Sequence, residues 1–159
     1  MAALEEVGVA SACHMLVADE EGAVGLEWSA KGVKKLGMSA EEEGWVFHSN
    51  HYVLQHEGVV ERGLWKDSVP RLARIKALAT KESGTARQSE PAGQAEVDVK
   101  AMQRMLGDEE DAPAGICRKE EGASTAATLF SIVMDLKEKR ASVTVGRPVE
   151  VEDRIEFVF

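Results

Sequence analysis

The alternation of apolar and polar residues predicts short strands in the first third of the chain. Residues 10–17 and 23–28 are mostly apolar runs of strand length, and the turn-forming sequence Glu-Glu-Gly separates them. Residues 33–36 and 44–48 continue the series on either side of an acidic stretch. We therefore expect a hairpin that extends into a meander of antiparallel strands.

A helical period replaces the strand pattern near residue 67. Asp67 or Ser68 is a typical cap, and Pro70 is tolerated in a first helical turn. Apolar residues then recur at helical spacing, namely Leu72, Ile75, Leu78 and Ala79. Residues 97–106 predict a second, shorter helix.

The composition changes between these two helices. Residues 81–97 are rich in Ser, Gly, Gln, Glu and Ala and include Pro91. Such a segment buries too little apolar surface to offset the entropy of ordering it. We predict that it is a flexible surface insertion within a single domain covering residues 1–159.

The last third of the chain predicts strands again. Residues 128–136 are apolar on both alternating faces, with Phe130, Ile132 and Met134 on one side and Leu129 and Val133 on the other. This pattern is typical of a strand between two layers. A turn at 137–140, a strand at 141–145 and a last strand at 154–159 follow. Mostly antiparallel strands with two helices indicate an α+β fold.

The charge of the chain limits the classes of partner. Its 19 basic and 28 acidic residues give a net charge of −9, whereas nucleic-acid binding requires clustered Lys and Arg. No apolar run approaches the roughly 18 residues of a membrane span, and residues 1–17 lack the basic region of a secretory signal. We expect a cytoplasmic protein without nucleic-acid or membrane partners. A peroxisomal location stays open, although the chain ends Phe-Val-Phe rather than in a Ser-Lys-Leu type of signal.

A polar cluster follows the apolar run at residues 45–47. Asn50 lies between His48 and His51, and a neutral amide donor can stabilise an oxyanion. An Asn that ends a strand by bonding its own backbone is the alternative. The two imidazoles would point to opposite faces of a strand, so we expect neither a metal nor a cofactor, although a metal-binding domain built on the histidines remains a third reading.

Two serines and two arginines have similarly open readings. Ser29 shares a strand face with Glu27 and can form an ordinary hydrogen-bonded pair there, and Ser124 can be a turn serine. Arg71 and Arg74 lie on one helix face, spaced for a carboxylate or for an ion-paired, solvated surface.

Three segments carry a resemblance to a known family. Residues 25–29 (Gly-Leu-Glu-Trp-Ser), 45–52 (Trp-Val-Phe-His-Ser-Asn-His-Tyr) and 114–118 (Ala-Gly-Ile-Cys-Arg) closely resemble the acyl-CoA:isopenicillin N acyltransferases, which are N-terminal nucleophile hydrolases. The resemblance runs from about residue 7 to residue 159 and covers only the C-terminal part of the family's domain. It implies part of a four-layer αββα sandwich.

The resemblance also implies roles for particular residues. Asn50 aligns with the oxyanion-hole Asn of the family's His-Thr-Asn-His segment, with Ser49 in place of the Thr. Ser29 and Ser124 correspond to supporting site residues. The segment after Ser124 departs from the family's Gly-x-Ser-x-Gly pattern, because Thr125 replaces an Arg and Ala126 replaces the last Gly. A positive charge expected near the substrate is therefore absent.

The nucleophile of this family is a residue freed at a new N-terminus by autocatalytic cleavage. Cys13 is internal to a predicted strand, Cys117 aligns with a scaffold residue, and Met1 is followed by Ala2. We therefore expect either that this sequence is a fragment of a longer polypeptide or that a separate nucleophile-bearing N-terminal half or subunit is its partner. The predicted function is that of an acyltransferase or amidohydrolase acting on amide or thioester bonds of acylated small molecules such as acyl-CoA. A non-catalytic module that binds a small molecule or a protein is the alternative.

Overall fold

The computed structural model describes residues 6–9, 11–38, 44–61, 66–89, 97–122 and 124–159. The strands are β1 (Cys13–Ala18), β2 (Ala23–Ser29), β3 (Gly32–Gly37), β4 (Phe130–Asp135), β5 (Arg140–Arg147) and β6 (Glu150–Val158), and the helices are α1 (Ser68–Ser89) and α2 (Val99–Leu106). The α+β class is therefore confirmed. The chain divides into two compact units, Met1–Leu72 and Ala73–Phe159, and the division falls within α1.

The first unit contains an antiparallel sheet in the order β1-β2-β3. The predicted hairpin between β1 and β2 is confirmed. Its turn is closed by Asp19, whose Oδ1 accepts hydrogen bonds from the backbone N–H groups of Glu21 and Gly22 at 2.9 and 3.0 Å. The residues of the central strand β2 from Gly25 to Ser29 are all buried, although their side chains alternate between the two faces of the sheet.

The strand predicted at residues 44–48 is wrong. Residues 45–49 have an irregular backbone, and residues 39–43 lie outside the described residues. The apolar pattern arises because Phe47 is buried, but the polar groups that follow bind a side chain of β2 instead of a neighbouring strand. The segment is thus held to the sheet through side-chain contacts.

Helix α1 begins where its cap residues predicted. It continues to Ser89, so residues 81–89 of the predicted flexible insertion are helical. Extending an existing helix is inexpensive, and Lys, Glu, Ala, Arg and Gln in this stretch are good helix formers. Residues 90–96 lie outside the described residues, and the flexibility of the insertion stays a prediction. No helix in the described part of the chain is long and apolar enough to cross a membrane.

Helix α2 confirms the second predicted helix. Asp98 caps it, because its Oδ1 accepts a hydrogen bond from the N–H of Ala101 at 2.7 Å. Ala101 and Met105, one turn apart, form its buried face. The helix contacts β4 in the second unit.

The second unit contains an antiparallel sheet in the order β4-β5-β6. Strand β6 begins at Glu150, four residues earlier than the predicted strand. One face of the sheet is buried, and it carries Val133, Ser142 and Thr144. Gln103 of α2 reaches Ser142 on this face, so the helix lies over it.

The opposite face of this sheet is exposed. The register places Ile132 beside Val143 and Ile155, and Met134 beside Ala141 and Phe157. The larger apolar side chains of this face are all exposed, namely Phe130, Ile132, Met134, Ile155 and Phe157. The described chain thus covers one of the two apolar faces of β4 and leaves the face with Phe130, Ile132 and Met134 uncovered, which is the exposure expected of this chain without the nucleophile-bearing half. A helix covers one face, and the apolar pattern alone does not reveal what meets the other.

The two faces of β4 predict effects of different size for a substitution to Ser. Val133 is 6% exposed and Ile132 is 43% exposed. Val133→Ser should lower the free energy of unfolding by roughly 2–4 kcal/mol, because it leaves a cavity and a buried hydroxyl. Ile132→Ser should change it by less than about 1 kcal/mol. Urea unfolding of both variants measures the difference, and equal losses would show that the exposed face is covered in solution.

Candidate functional site

The carboxylate of Glu27 organises the centre of the first unit. Glu27 is 0% exposed. Its Oε1 accepts hydrogen bonds from His48 Nε2 at 2.8 Å and from the backbone N–H of Val53 at 2.5 Å. Its Oε2 accepts from the backbone N–H of Leu54 at 2.9 Å and from His56 Nε2 at 3.3 Å. Both oxygens are therefore fully used.

These donors determine the charge of Glu27. Burial alone would raise the pKa of this carboxyl, but the two backbone amides and the two imidazoles together hold it below the ordinary value. Glu27 is thus ionised at neutral pH. Because a carboxylate only accepts hydrogen bonds, His48 and His56 must each carry a proton on Nε2.

Residues 48–56 form a clamped segment around Glu27. A backbone without helix or strand partners needs other acceptors for its N–H groups, and Glu27 accepts two of them. Tyr52 adds a further contact, because its hydroxyl donates to the carbonyl oxygen of Trp28 at 3.2 Å. Asn50 lies between the anchored residues His48 and Val53, so its backbone has little freedom.

A second imidazole lies against the clamped segment. The ring of His14 stacks on that of His48 with 3.7 Å between the centroids and an angle of 2°. The contact requires glycine at position 25, where a Cβ atom would lie 2.5 Å from His14 Nε2. Burial lowers the pKa of His14, and the neighbouring His48 lowers it further. His14 is therefore uncharged at neutral pH, which avoids repulsion within the stack.

The first turn of α1 holds Asn50 at two points. The backbone N–H of Asn50 donates to Ser68 Oγ at 2.7 Å. The side-chain oxygen Oδ1 of Asn50 accepts from Arg71 Nη2 at 2.6 Å, and Arg71 Nε donates to Asp67 Oδ2 at 2.9 Å. The Asn50 side-chain oxygen therefore binds Arg71, in contrast to the alternative in which it would bond its own backbone.

Ser68 is the shared contact of Asn50 and His51. It is completely buried, and its Oγ lies 2.7 Å from His51 Nδ1. His48 and His51 therefore bind different partners, Glu27 and Ser68. The residues that the structure describes contain no group of three or more His, Cys, Asp or Glu arranged to hold a metal ion.

Asn50 lines a cavity of about 260 Å³ in the first unit. The walls that carry chemical groups come from Cys13, His14, His48, His51, Tyr52 and Glu61. An amide donor, three imidazoles and a half-buried thiol thus meet one space that is large enough for part of a small acylated molecule.

Ser29 lies apart from this cavity. Its Oγ is 3.1 Å from His56 Nδ1, accepts from the N–H of Lys31 and donates to the carbonyl of Gly32. It lines a different cavity, of about 610 Å³. Ser29 and Glu27 are predicted to share a strand face. The imidazole of His56 contacts both side chains. A catalytic role for Ser29 stays a prediction.

Ser124 belongs to the second unit. Its hydroxyl donates to the carbonyl oxygen of Ala126 at 3.3 Å, a contact typical of a turn serine. In the same unit Arg74 binds Asp108 through two hydrogen bonds of 2.9 and 2.7 Å. Arg74 thus has the ion-paired role predicted as one alternative, and Cys117 is fully buried. A supporting catalytic role for Ser124 stays a prediction.

Sequence reasoning missed three residues that build the site. The sequence pattern indicates Glu27 only as a neighbour of Ser29, Ser68 only as a helix cap, and Arg71 only as a partner of a carboxylate or of solvent. A signal for Glu27 was present, because a carboxylate in the middle of the apolar strand 23–28 must find several donors if it is buried. The contacts of Ser68 and Arg71 with Asn50 leave no such local signal.

Replacement of Glu27 tests the clamp. Glu27→Gln places an NH₂ group among donors, so it should lower the free energy of unfolding by roughly 3 kcal/mol. The pKa of Glu27 is lowered in the folded chain, so its contribution is complete above the ordinary value of 4.5 and is lost as pH falls through the lower folded pKa. The variant should lack this part of the acid destabilisation.

Urea unfolding between pH 7 and pH 3 measures both effects. Glu57→Gln is the matched control, because Glu57 is an exposed carboxylate next to the clamped segment. It should change the stability by less than about 0.5 kcal/mol. Equal effects of the two variants would contradict the central role of Glu27.

Comparison with known proteins identifies the family. The model of the acyl-coenzyme A:6-aminopenicillanic acid acyltransferase family matches residues 1–150. The acyl-coenzyme A:6-aminopenicillanic-acid-acyltransferase 40 kDa form of Emericella nidulans is 30% identical over 154 residues. That match covers 96% of this chain and 39% of the relative, so the chain spans about two fifths of the relative's length. The predicted resemblance is confirmed, and the chain belongs to the acyl-coenzyme A:6-aminopenicillanic acid acyltransferase family.

Proposed function

We propose that these residues supply the scaffold and one oxyanion donor of an enzyme that transfers or hydrolyses acyl groups. Its substrates are amides or thioesters of acylated small molecules, including acyl-CoA, N-acyl compounds and β-lactam side chains. The observation that carries the proposal is the placement of Asn50, which lines the 260 Å³ cavity while Ser68 and Arg71 fix its backbone and side chain. Membership in the acyltransferase family supports the reaction class.

The chemistry requires a donor of this kind. Attack of a nucleophile on an amide or thioester carbonyl forms a C–O⁻ group in the tetrahedral intermediate, and collapse of that intermediate expels the amine or thiol. A preorganised neutral amide stabilises the developing charge without reorganising. Asn50 meets both conditions, because it is uncharged and its position is held at two points.

The nucleophile in this proposal comes from residues outside the 159 of this sequence. The Emericella nidulans relative is much longer than the matched region, which leaves room for a nucleophile-bearing segment on the same or a separate polypeptide. Cys117 is fully buried, and Cys13 begins β1 within the chain, where its own α-nitrogen belongs to a peptide bond and cannot act as a base. Cys13 nevertheless lines the Asn50 cavity, so its reactivity needs a direct test.

The exposed apolar face of the second sheet also supports a nucleophile-bearing segment outside these 159 residues. A face with Phe130, Ile132 and Met134 uncovered calls for a partner layer. We propose that the nucleophile-bearing segment contributes a sheet that packs on this face, which completes the αββα sandwich. The exposed face of the β4-β5-β6 sheet and the added sheet would then be buried against each other.

The 159-residue chain alone should form no acyl-enzyme. An oxyanion donor acts only after attack, so incubation with an acyl-CoA should leave the intact mass unchanged. Intact-protein mass spectrometry makes the measurement, with iodoacetamide labelling to show that Cys13 is accessible. An acyl adduct that turns over on Cys13 or Cys117 would mean that the chain carries its own nucleophile.

Activity should appear when the chain is co-expressed with a nucleophile-bearing segment, namely the part of the Emericella nidulans relative that it does not match. In that assembly Asn50→Ala should lower kcat by roughly 10²–10³, the usual cost of one oxyanion donor. Asn50→Asp should be at least as harmful, because a carboxylate repels the developing charge. Single-turnover kinetics with an acyl thioester measure the acylation step directly.

Gln55→Ala is the matched control for Asn50→Ala. Gln55 carries the same amide group in the same clamped segment and is exposed like Asn50, but it does not line the Asn50 cavity. Its replacement should leave kcat within about twofold of the parent, as expected for a surface substitution. Equal kcat for Asn50→Ala and the parent assembly would refute the role of Asn50.

A further inference from the structure

The contact between Arg71 and Asn50 fixes the direction in which the Asn50 amide points. A guanidinium group carries only donors, so the Asn50 atom that faces Arg71 Nη2 at 2.6 Å must be the oxygen Oδ1. The amide nitrogen Nδ2 is then directed away from Arg71. This assignment follows from the chemistry of Arg, and it selects one of the two flipped orientations of the amide.

Arg71 is itself held in place. Its Nε donates to Asp67 Oδ2 at 2.9 Å, one helical turn earlier in sequence. The backbone N–H of Asn50 binds Ser68, which begins the same turn. The turn from Asp67 to Arg71 therefore fixes the backbone and the side chain of Asn50 together.

We propose that Arg71 is a positioning residue that orients the Asn50 amide so that Nδ2 is free to donate to an oxyanion. The inference rests on the proposed function and deepens it. In a flipped amide, Oδ1 would take the place of the donor and would repel the negative oxygen. The positive charge on Arg71 also polarises the amide through Oδ1, which strengthens donation from Nδ2.

Arg74, on the same helix, is the comparison for Arg71, because its contacts are those of a structural arginine. Its guanidinium uses Nε and Nη2 on the carboxylate of Asp108 and also meets the carboxylate of Glu110. Arg71 instead divides its donors between a carboxylate and a neutral amide. The Arg71–Asn50 contact is a charge-assisted hydrogen bond, and it is separate from the ion pair that Arg71 forms with Asp67.

Amide signals of the full 159-residue chain test the orientation without any activity assay. With ¹⁵N-labelled side chains, Asn50 Nδ2, whose amide oxygen binds Arg71, should give shifts distinct from those of Gln55 Nε2, which lies outside the Asn50 cavity. Arg71→Met, which keeps the aliphatic stem, should move the Asn50 signals to the range of Gln55. Arg74→Met should leave them unchanged.

A second variant guards against misfolding. If Arg71→Met loses the backbone signals of β2, Arg71→Lys replaces it, because a lysine keeps the charge but cannot serve Asp67 and Asn50 in the same fork geometry. The Asn50 signals should then also shift. Unmoved Asn50 Nδ2 signals in a folded variant would overturn the proposal.

A double-mutant cycle in the co-expressed assembly tests the consequence for catalysis. Arg71→Met should lower kcat roughly tenfold with KM unchanged, a fraction of the 10²–10³ lost with the donor itself. In the Asn50→Ala background the same change should cost less than about twofold, because there is no amide left to orient.

The outcomes separate the two proposals. If Asn50→Ala leaves kcat unchanged, the proposed function fails, whatever Arg71 does to the amide signals. If Asn50→Ala is costly but Arg71→Met is neutral or acts additively with it, the positioning role of Arg71 fails and the proposed function stands. A cycle in which the Arg71 effect disappears with Asn50 supports both.

Discussion

The buried carboxylate of Glu27 is the constraint on which the first unit depends. A carboxylate removed from water costs several kcal/mol unless its lone pairs are satisfied, and β2 itself offers no donors to this side chain. The clamped segment supplies two backbone N–H groups and two imidazoles. The irregular backbone in turn needs acceptors, so each part satisfies the other. This mutual requirement explains why an irregular segment takes one defined path.

The position of Asn50 follows from that path. Between His48 and Val53 the chain meets the first turn of α1, where Ser68 binds the backbone of Asn50 and Arg71 binds its side chain. A loop residue thereby acquires the rigidity that an oxyanion donor requires. The Glu27 carboxylate also keeps His48 and His56 protonated on Nε2, because it accepts a hydrogen bond from each.

Local patterns predicted the elements whose cause is local. The β1–β2 hairpin and the start of α1 follow from turn and cap residues, and both are found. The strand predicted at residues 44–48 is not found, because the carboxylate that binds the following segment, Glu27, lies about twenty positions earlier in the sequence. Alternation identified the two apolar faces of β4, and the exposure of Ile132 is the one expected of a chain without its partner layer. Asn50 was found through the family resemblance, whereas its contacts with Ser68 and Arg71 depend on tertiary structure.

Native-state hydrogen exchange at Val53 and Leu54 tests the central role of Glu27 most directly. Their N–H groups lie in an irregular segment, and only the Glu27 carboxylate accounts for their protection. We expect both amides to exchange as slowly as those of β2 at neutral pH, and to lose that protection in Glu27→Gln together with the Asn50 amide. Exchange of Val53 and Leu54 in the parent chain at the rate of the exposed Glu57 amide would contradict the account.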